Sequence, residues 1–147
     1  MSEWIIGIDP GKSGSIVVNR AGDCYTASLG KMTEQDVATW LADHYAAGVD
    51  FAYIERVSSS PQMGVKSAFT FGQSYGFLRG CLIAMNIPFE EVSPAKWQRA
   101  LGCLSKGDKN VTKAKAQQLF PGIKVTHAIA DALLIAEYGR RLRGGTL

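Results

Sequence analysis

Three carboxylates in this chain stand where an acid is costly. Asp9 closes the apolar run Trp4-Ile-Ile-Gly-Ile, Glu55 closes Phe51-Ala-Tyr-Ile, and Asp131 lies among Ala130, Ala132, Leu133 and Leu134. A carboxylate withdrawn from water needs hydrogen bonds, a counter-charge or a metal ion. Taken singly, each has an ordinary explanation: Asp9 could satisfy the amides of its own Asp-Pro-Gly turn, Glu55 could pair with Arg56 or a surface lysine, and Asp131 could favour the first turn of a helix. Three together point to chemistry. Gathered in one place they would repel one another unless a divalent cation joined them. Oxygen donors without supporting cysteine suit Mg²⁺ or Mn²⁺ better than zinc. Two such ions about 4 Å apart can activate water and stabilise the leaving oxygen of an in-line displacement at phosphorus.

Two other motifs carry less. Gly7-Ile-Asp-Pro-Gly11-Lys-Ser13 resembles the end of a phosphate loop, but its leading glycine is one residue too close to Gly-Lys-Ser. His127 and Asp131, four apart on one helix face, could form a metal-ligand pair, although a first-turn histidine is more often a surface group.

The elements that must position the acids follow from periodicity and turn residues. Ile5, Ile6 and Ile8 predict a buried strand, Pro10-Gly11 and Gly14 a tight turn, and Ser15–Val18 the second strand of a hairpin. Ala21-Gly-Asp23 marks another turn, before a third antiparallel strand over Cys24–Ser28. Thr33-Glu-Gln-Asp36 has the form of a capping box, opening a helix with Val37, Trp40, Leu41 and Tyr45 that Gly48 ends. A second acid-bearing strand spans Phe51–Val57. The intervening helix allows the crossover that a parallel neighbour of the first strand requires, so Asp9 and Glu55 are expected side by side.

After the polar loop Ser58–Gln62, the spacing of Ala68, Phe71, Tyr75, Leu78, Leu82 and Met85 predicts a long helix over about 66–86. Gly72, Gly76 and Gly80 form a second stripe on it. Each interior glycine costs roughly 1 kcal/mol relative to alanine, so the stripe implies close approach by another backbone, in this chain or in a partner subunit. A short strand (Ile87–Val92), a helix opened by Ser93-Pro94 and running to Leu101, and a flexible linker over 102–108 follow. A lysine-bearing helix spans about 109–120, stopped by Pro121-Gly122. The last helix starts at the N-cap Thr126 and runs to Arg140, Arg141 and Arg143.

Composition bounds the partners. At 147 residues, 46% hydrophobic and 20% charged, the chain suits one well-cored domain over 1–147. No run approaches a membrane span and the N-terminal sequence lacks a signal pattern, so a cytoplasmic location is expected. Cys24, Cys81 and Cys103 are in no metal-binding spacing and fit free thiols. Residues 1–55 hold eight acids and three bases, net −5, whereas residues 56–147 hold five acids and thirteen bases, net +8. Lys96, Arg99, Lys106, Lys109, Lys113, Lys115 and Lys124 face one acid, Asp108, between Val92 and His127, a pattern suited to tracking phosphates. Phe69 and Phe71 near Lys66 suit the core first, and a stacked base second.

Ile-Gly-Ile-Asp9-Pro-Gly, Tyr-Ile-Glu55-Arg, Val92-Ser-Pro94-Ala-Lys-Trp97, the Lys113-bearing helix and His127-Ala-Ile-Ala-Asp131-Ala-Leu-Leu-Ile-Ala together resemble the RuvC-type Holliday-junction resolvases, especially their phage-borne members. The resemblance covers nearly the whole chain and rests on the order and spacing of the motifs. It implies an α/β, ribonuclease-H-like fold, with a mixed five-stranded sheet, helices on both faces and the acids at one edge of the central strands. It further implies a homodimer that makes paired nicks in a four-way DNA junction with two Mg²⁺ ions. Asp9 would be shared by both ions, Glu55 would be the second-strand ligand and Asp131 the final-helix ligand. Lys113 matches a lysine near the scissile region, and Phe69 or Phe71 the base-stacking wedge. Lys66, Lys96, Arg99, Lys106, Lys109 and Lys115 would contact DNA.

One position departs from the pattern. Family members generally carry an acid or a histidine three residues before the last aspartate, where this chain has Ala128; His127 is one residue out of register, about 100° round the helix. An engineered change that traps substrate accounts for this better than a natural three-ligand site, because the surrounding pattern is kept. Two rival functions are a non-catalytic branched-DNA scaffold of the same fold and a fragment of an actin-like ATPase. The latter normally needs two such domains around a nucleotide, and no nucleotide cofactor is expected here.

Overall fold

The computed structural model describes residues 3–147. Strands β1 (Ile5–Asp9), β2 (Ser15–Arg20), β3 (Asp23–Ser28), β4 (Phe51–Glu55) and β5 (Phe89–Val92) form one sheet in the order β3-β2-β1-β4-β5. The first three are an antiparallel meander, while β4 pairs parallel with β1 and β5 parallel with β4. Helices α1 (Glu34–Ala46), α2 (Val65–Ala84), α3 (Pro94–Ala100), α4 (Lys109–Leu119) and α5 (His127–Gly144) cover it. The mixed five-stranded sheet with helices on both faces is therefore as the resemblance implied. No helix among the described residues is long and apolar enough to cross a membrane.

Strand alternation divides the core in two. Ile6, Ile8, Ile16, Val18, Ala52 and Ile54 pack with Val37 and Leu41 of α1 and Leu78, Cys81 and Leu82 of α2. Ile5, Val17 and Tyr53 project to the other face and pack with Trp97 of α3, Ala116 of α4 and the Ile129–Tyr138 part of α5. Because successive strand side chains alternate, Gly7, Asp9 and Glu55 share the α5 face with Ile5 and Tyr53. The helix carrying Asp131 is thus laid over the strands carrying the other two acids.

Gly7 sets how closely α5 approaches. A Cβ at this position would overlap the Ala132 carbonyl and the backbone of Ala136, so the helix rests directly on the β1 backbone. At the other end of the contact, Gly139 meets the Tyr53 ring. The small residues of α5 are therefore the footprint of a helix lying flat on a sheet.

Several local features match the residue chemistry. Thr33 and Asp36 make the reciprocal capping box, Asp36 N donating to Thr33 Oγ1 at 3.0 Å and Thr33 N to Asp36 Oδ2 at 2.9 Å. Ser93 caps α3 with Pro94 at its first position. The three cysteines are free thiols. The 3₁₀ turn Leu29–Lys31 carried no periodic signal in the sequence. β4 ends at Glu55 rather than Val57, although the Arg56 amide still donates to the Val92 carbonyl at 2.8 Å. For the glycine stripe of α2, close packing within the chain does not hold: among the described residues nothing lies within 4 Å of a Cβ built at Gly72, Gly76 or Gly80.

Candidate active site

Asp9 and Glu55 occupy the carboxyl ends of two parallel, adjacent strands, since Ile8 is in register with Ile54. The crevice at the carboxyl ends of parallel strands is where α/β sheets place their ligands. Immediately after Asp9 the chain reverses: Gly11 takes φ 114°, and the Gly14 amide donates to the Gly11 carbonyl at 3.1 Å. A side chain at Gly14 would collide with the Asp9 carbonyl. The turn returns Ser15 to stand directly opposite Asp9 in the β1–β2 ladder.

Asp131 lies in the first turns of α5. Burial raises its pKa, while a hydrogen bond from Thr112, Lys109 and His127 pull it down. The Thr112 hydroxyl also lies 3.3 Å from the Lys109 carbonyl. Glu55 accepts a 2.8 Å hydrogen bond from the indole Nε1 of Trp97, a fully buried side chain. Burial nonetheless pushes Glu55 up to about 7; Trp97 and Lys109 lower it and Asp131 adds to the rise. Burial holds Asp9 well above the usual carboxylate range, and the charges of Glu55 and Asp131 push it further. The three acids therefore sense one another across one site.

Glu55 and Asp131 line a cleft of about 360 Å³ whose walls include Pro94 and Gln98 of α3, Lys106 of the linker, and Lys109 and Thr112 of α4. Lys109 is the lysine whose charge opposes all three carboxylates. The resemblance implied a DNA contact for it and the scissile-site role for Lys113, which is half-buried on the same helix. Trp97, Thr112 and Ser15 were not singled out for the site. Serine in the strand beside an acid and tryptophan in a Pro-initiated helix are unremarkable until the register is known.

The donor set fits a hard divalent cation. Three carboxylates feel one another's charge and that of Lys109, and the Ser15 hydroxyl, fully buried opposite Asp9, has no hydrogen-bond partner among the described residues. Among those residues no three acidic, histidine or cysteine side chains close into a ready-made cage. An open arrangement suits Mg²⁺, which keeps several waters and takes one or two carboxylates together with substrate phosphates.

The remaining residues sort by position. Ala128 is partly exposed in the first turn of α5, three residues before Asp131. Phe69 is 72% exposed on the first turns of α2, next to exposed Lys66. Phe71 is half-buried, its ring 3.5 Å from a Cβ built at Gly11, so it packs on the turn that follows Asp9. Lys96 and Arg99 are exposed on α3, and Lys115 is half-buried on α4.

Solved structures share this architecture. Thermus thermophilus RuvC in complex with a Holliday junction substrate matches with TM-score 0.62 at 18% identity, covering 98% of this chain and 97% of that one. A second T. thermophilus RuvC structure matches with TM-score 0.64 at 18% identity over 97% of both chains. The fold is that of the RuvC-type resolvases. The yeast mitochondrial Holliday junction resolvase Ydc2 also matches, with TM-score 0.59 at 14% identity, covering 98% of this chain and 80% of that one. At these identities the likeness to RuvC and Ydc2 is one of fold. No protein-family model matches the sequence, and neither does any curated protein.

Proposed function

We propose that this chain is a structure-selective DNA endonuclease that resolves four-way and related branched junctions by paired nicks. The observation that carries the proposal is that Glu55 and Asp131 wall one cleft together with Lys106 and Lys109, while Asp9, on the strand beside Glu55, feels the charge of both acids. The structural neighbours named for Holliday-junction resolution support it. In this reading Asp9, Glu55 and Asp131 would hold two Mg²⁺ ions, for which Mn²⁺ could substitute, and the ions would supply an activated water and charge stabilisation at the leaving oxygen. Trp97 fixes the Glu55 carboxylate, and Thr112 stands with Asp131 in the cleft wall. Lys109, with Lys113 further along α4, places positive charge where the phosphate collects charge in the transition state. Lys66, Lys96, Arg99, Lys106 and Lys115 track the backbone, and Phe69, the freer of the two phenylalanines, stacks on an exposed base with Phe71 behind it. Symmetric cleavage of a four-way junction calls for a homodimer carrying two such sites.

A second reading, a junction-binding scaffold that does not cut, is favoured by one observation: Ala128 stands where the resemblance implies a further ligand. One experiment separates the two. A labelled synthetic four-way junction is incubated with the protein and with its Ala128→Asp variant, in Mg²⁺ and in EDTA. Symmetric, Mg²⁺-dependent nicks at least tenfold faster in the variant are expected, with similar junction binding by both proteins. Mobility shift without nicking in either protein selects the scaffold, and full activity in the parent refutes the missing ligand.

A further inference from the structure

At the opposite end of the sheet from Asp9, the beginning of β1 carries an aromatic pocket that takes no part in the proposed nuclease. Trp4, Val18, Tyr25, Asp43, His44 and Ala47 line a cavity of about 360 Å³, within the size range of small-ligand sites. The Trp4 and Tyr25 rings lie 5.8 Å apart between centroids at 24°. His44 stands 5.5 Å from Tyr25 and is backed by Trp40 at 3.9 Å. Tyr25 is 51% exposed, an unusual state for a large ring on a strand that has polar positions available.

The polar chemistry of this pocket is one-sided. His44 Nδ1 lies 2.8 Å from the Trp40 carbonyl oxygen, which can only accept, so Nδ1 carries a proton and Nε2 is the ring atom left to face the pocket's ligand. Asp43 contributes a carboxylate to the wall. A second acid, Asp50, sits beside Trp4, accepting its backbone amide at 2.8 Å. Neither lysine nor arginine is among the described lining residues. Aromatic faces combined with acceptors suit a planar cation rich in donors. The protein itself illustrates the match at the edge of the pocket, where the Arg20 guanidinium lies 5.4 Å from the Trp4 ring centroid.

We propose that this pocket receives an arginine side chain presented by a partner protein. Guanidinium stacks on aromatic rings and carries five donors in a fixed fork, whereas the lysine ammonium is compact and strongly hydrated. Nucleic acid is disfavoured here although aromatic rings can stack on bases. Its phosphates would meet the carboxylates of Asp43 and Asp50.

The test needs neither DNA nor a metal ion, so its failure is separate from failure of the nuclease proposal. The full chain, isotope-labelled, is titrated with acetyl-Gly-Arg-Gly-amide and with the lysine and citrulline counterparts, following the Trp4 indole and His44 ring resonances. Saturable shifts at these two residues are expected with the arginine peptide, with affinity roughly tenfold weaker for citrulline, which keeps the shape and loses the charge. Asp43→Asn and Tyr25→Ala, both at exposed positions, are each expected to weaken binding several-fold while junction nicking stays at the parent value, and Asp43→Asn leaves the unfolding temperature unchanged. No saturable shift, equal response to citrulline, or the same resonances moving with a single-stranded oligonucleotide would each overturn the proposal.

Discussion

At the residue scale, the site is an arrangement of acids held at an energetic disadvantage. Glu55 shows the sign most directly, its pKa raised from 4.5 to about 7 chiefly by burial. A carboxyl that binds its proton more tightly in the folded state costs nothing below its unfolded pKa, and destabilises progressively as pH rises through the folded value. Without metal, the window therefore runs from about pH 4.5 to above 7, and the full cost approaches ~3 kcal/mol. Glu55→Gln removes the charge and keeps an acceptor for Trp97. In EDTA it is expected to exceed the parent in stability by up to ~3 kcal/mol at about pH 8, and to match it near pH 4, by urea unfolding. Mg²⁺ should raise the parent's midpoint at about pH 8 more than that of the variant, because it binds the ionised form. A gain independent of pH would show that packing, not charge, is responsible. The same scale bears on the position three residues before Asp131. His127 is one residue out of register, four residues before Asp131 on the same helix. The Ala128→Asp experiment therefore gains from His127→Ala as a companion: loss of Mg²⁺ affinity on removing the imidazole would make His127 the group that takes the place of the expected ligand.

At the scale of elements, α5 and α2 use small residues for opposite purposes. On α5, Ala132, Ala136 and Gly139 let the helix lie on β1 and β4, and Gly7 meets it from below, which delivers Asp131 to the acids of the sheet. On α2, Gly72, Gly76 and Gly80 meet no described residue. Replacing Gly76 by alanine removes the helical penalty without a clash, so the folded protomer should gain about 0.5–1 kcal/mol. If the stripe is where two protomers pack, Gly76→Leu will shift sedimentation of the protein toward monomer at concentrations where Gly76→Ala and the parent remain dimeric. Unchanged sedimentation of the leucine variant would place any dimer contact elsewhere. These elements also show what was legible beforehand. The capping box of α1, the Ser93-Pro94 start of α3 and the hairpin around Gly11 and Gly14 are local devices, and the residues announce them. The meander and the crossover to a parallel β4 followed from strand order, and with them the adjacency of Asp9 and Glu55. The roles of Gly7, Ser15, Trp97 and Lys109 depend on which strand face and which turn of a neighbouring helix come together, and no local pattern encodes that. Gly7 had a trace of signal, a glycine interrupting an isoleucine run, but its cause was a helix more than a hundred residues away in sequence.

At the scale of the whole molecule, the charge asymmetry of the chain becomes a division of labour in space. The acidic part, residues 1–55, supplies Asp9 and Glu55 on the central strands together with the aromatic pocket at the far end of the sheet. The basic part wraps the acids with Lys106 and Lys109 in the cleft wall and Lys96 and Arg99 exposed on α3. In the proposed nuclease, Lys106 and Lys109 would offset the repulsion between a phosphodiester and the carboxylates of the cleft. This arrangement predicts a specific salt dependence. Each phosphate neutralised on binding releases condensed counterions, so the logarithm of affinity falls linearly with the logarithm of salt concentration, by roughly 0.9 per contact on duplex arms. Junction binding measured in EDTA across a salt series, where no cutting intrudes, should lose about one unit of slope on Lys106→Ala and again on Lys109→Ala. Arg20→Ala, at the end of β2 remote from Asp9, should leave the slope unchanged, even though it removes the same formal charge. Equal loss of slope from all three substitutions would mean that net charge alone attracts DNA, and that the basic wall of the acidic cleft is not where the junction sits.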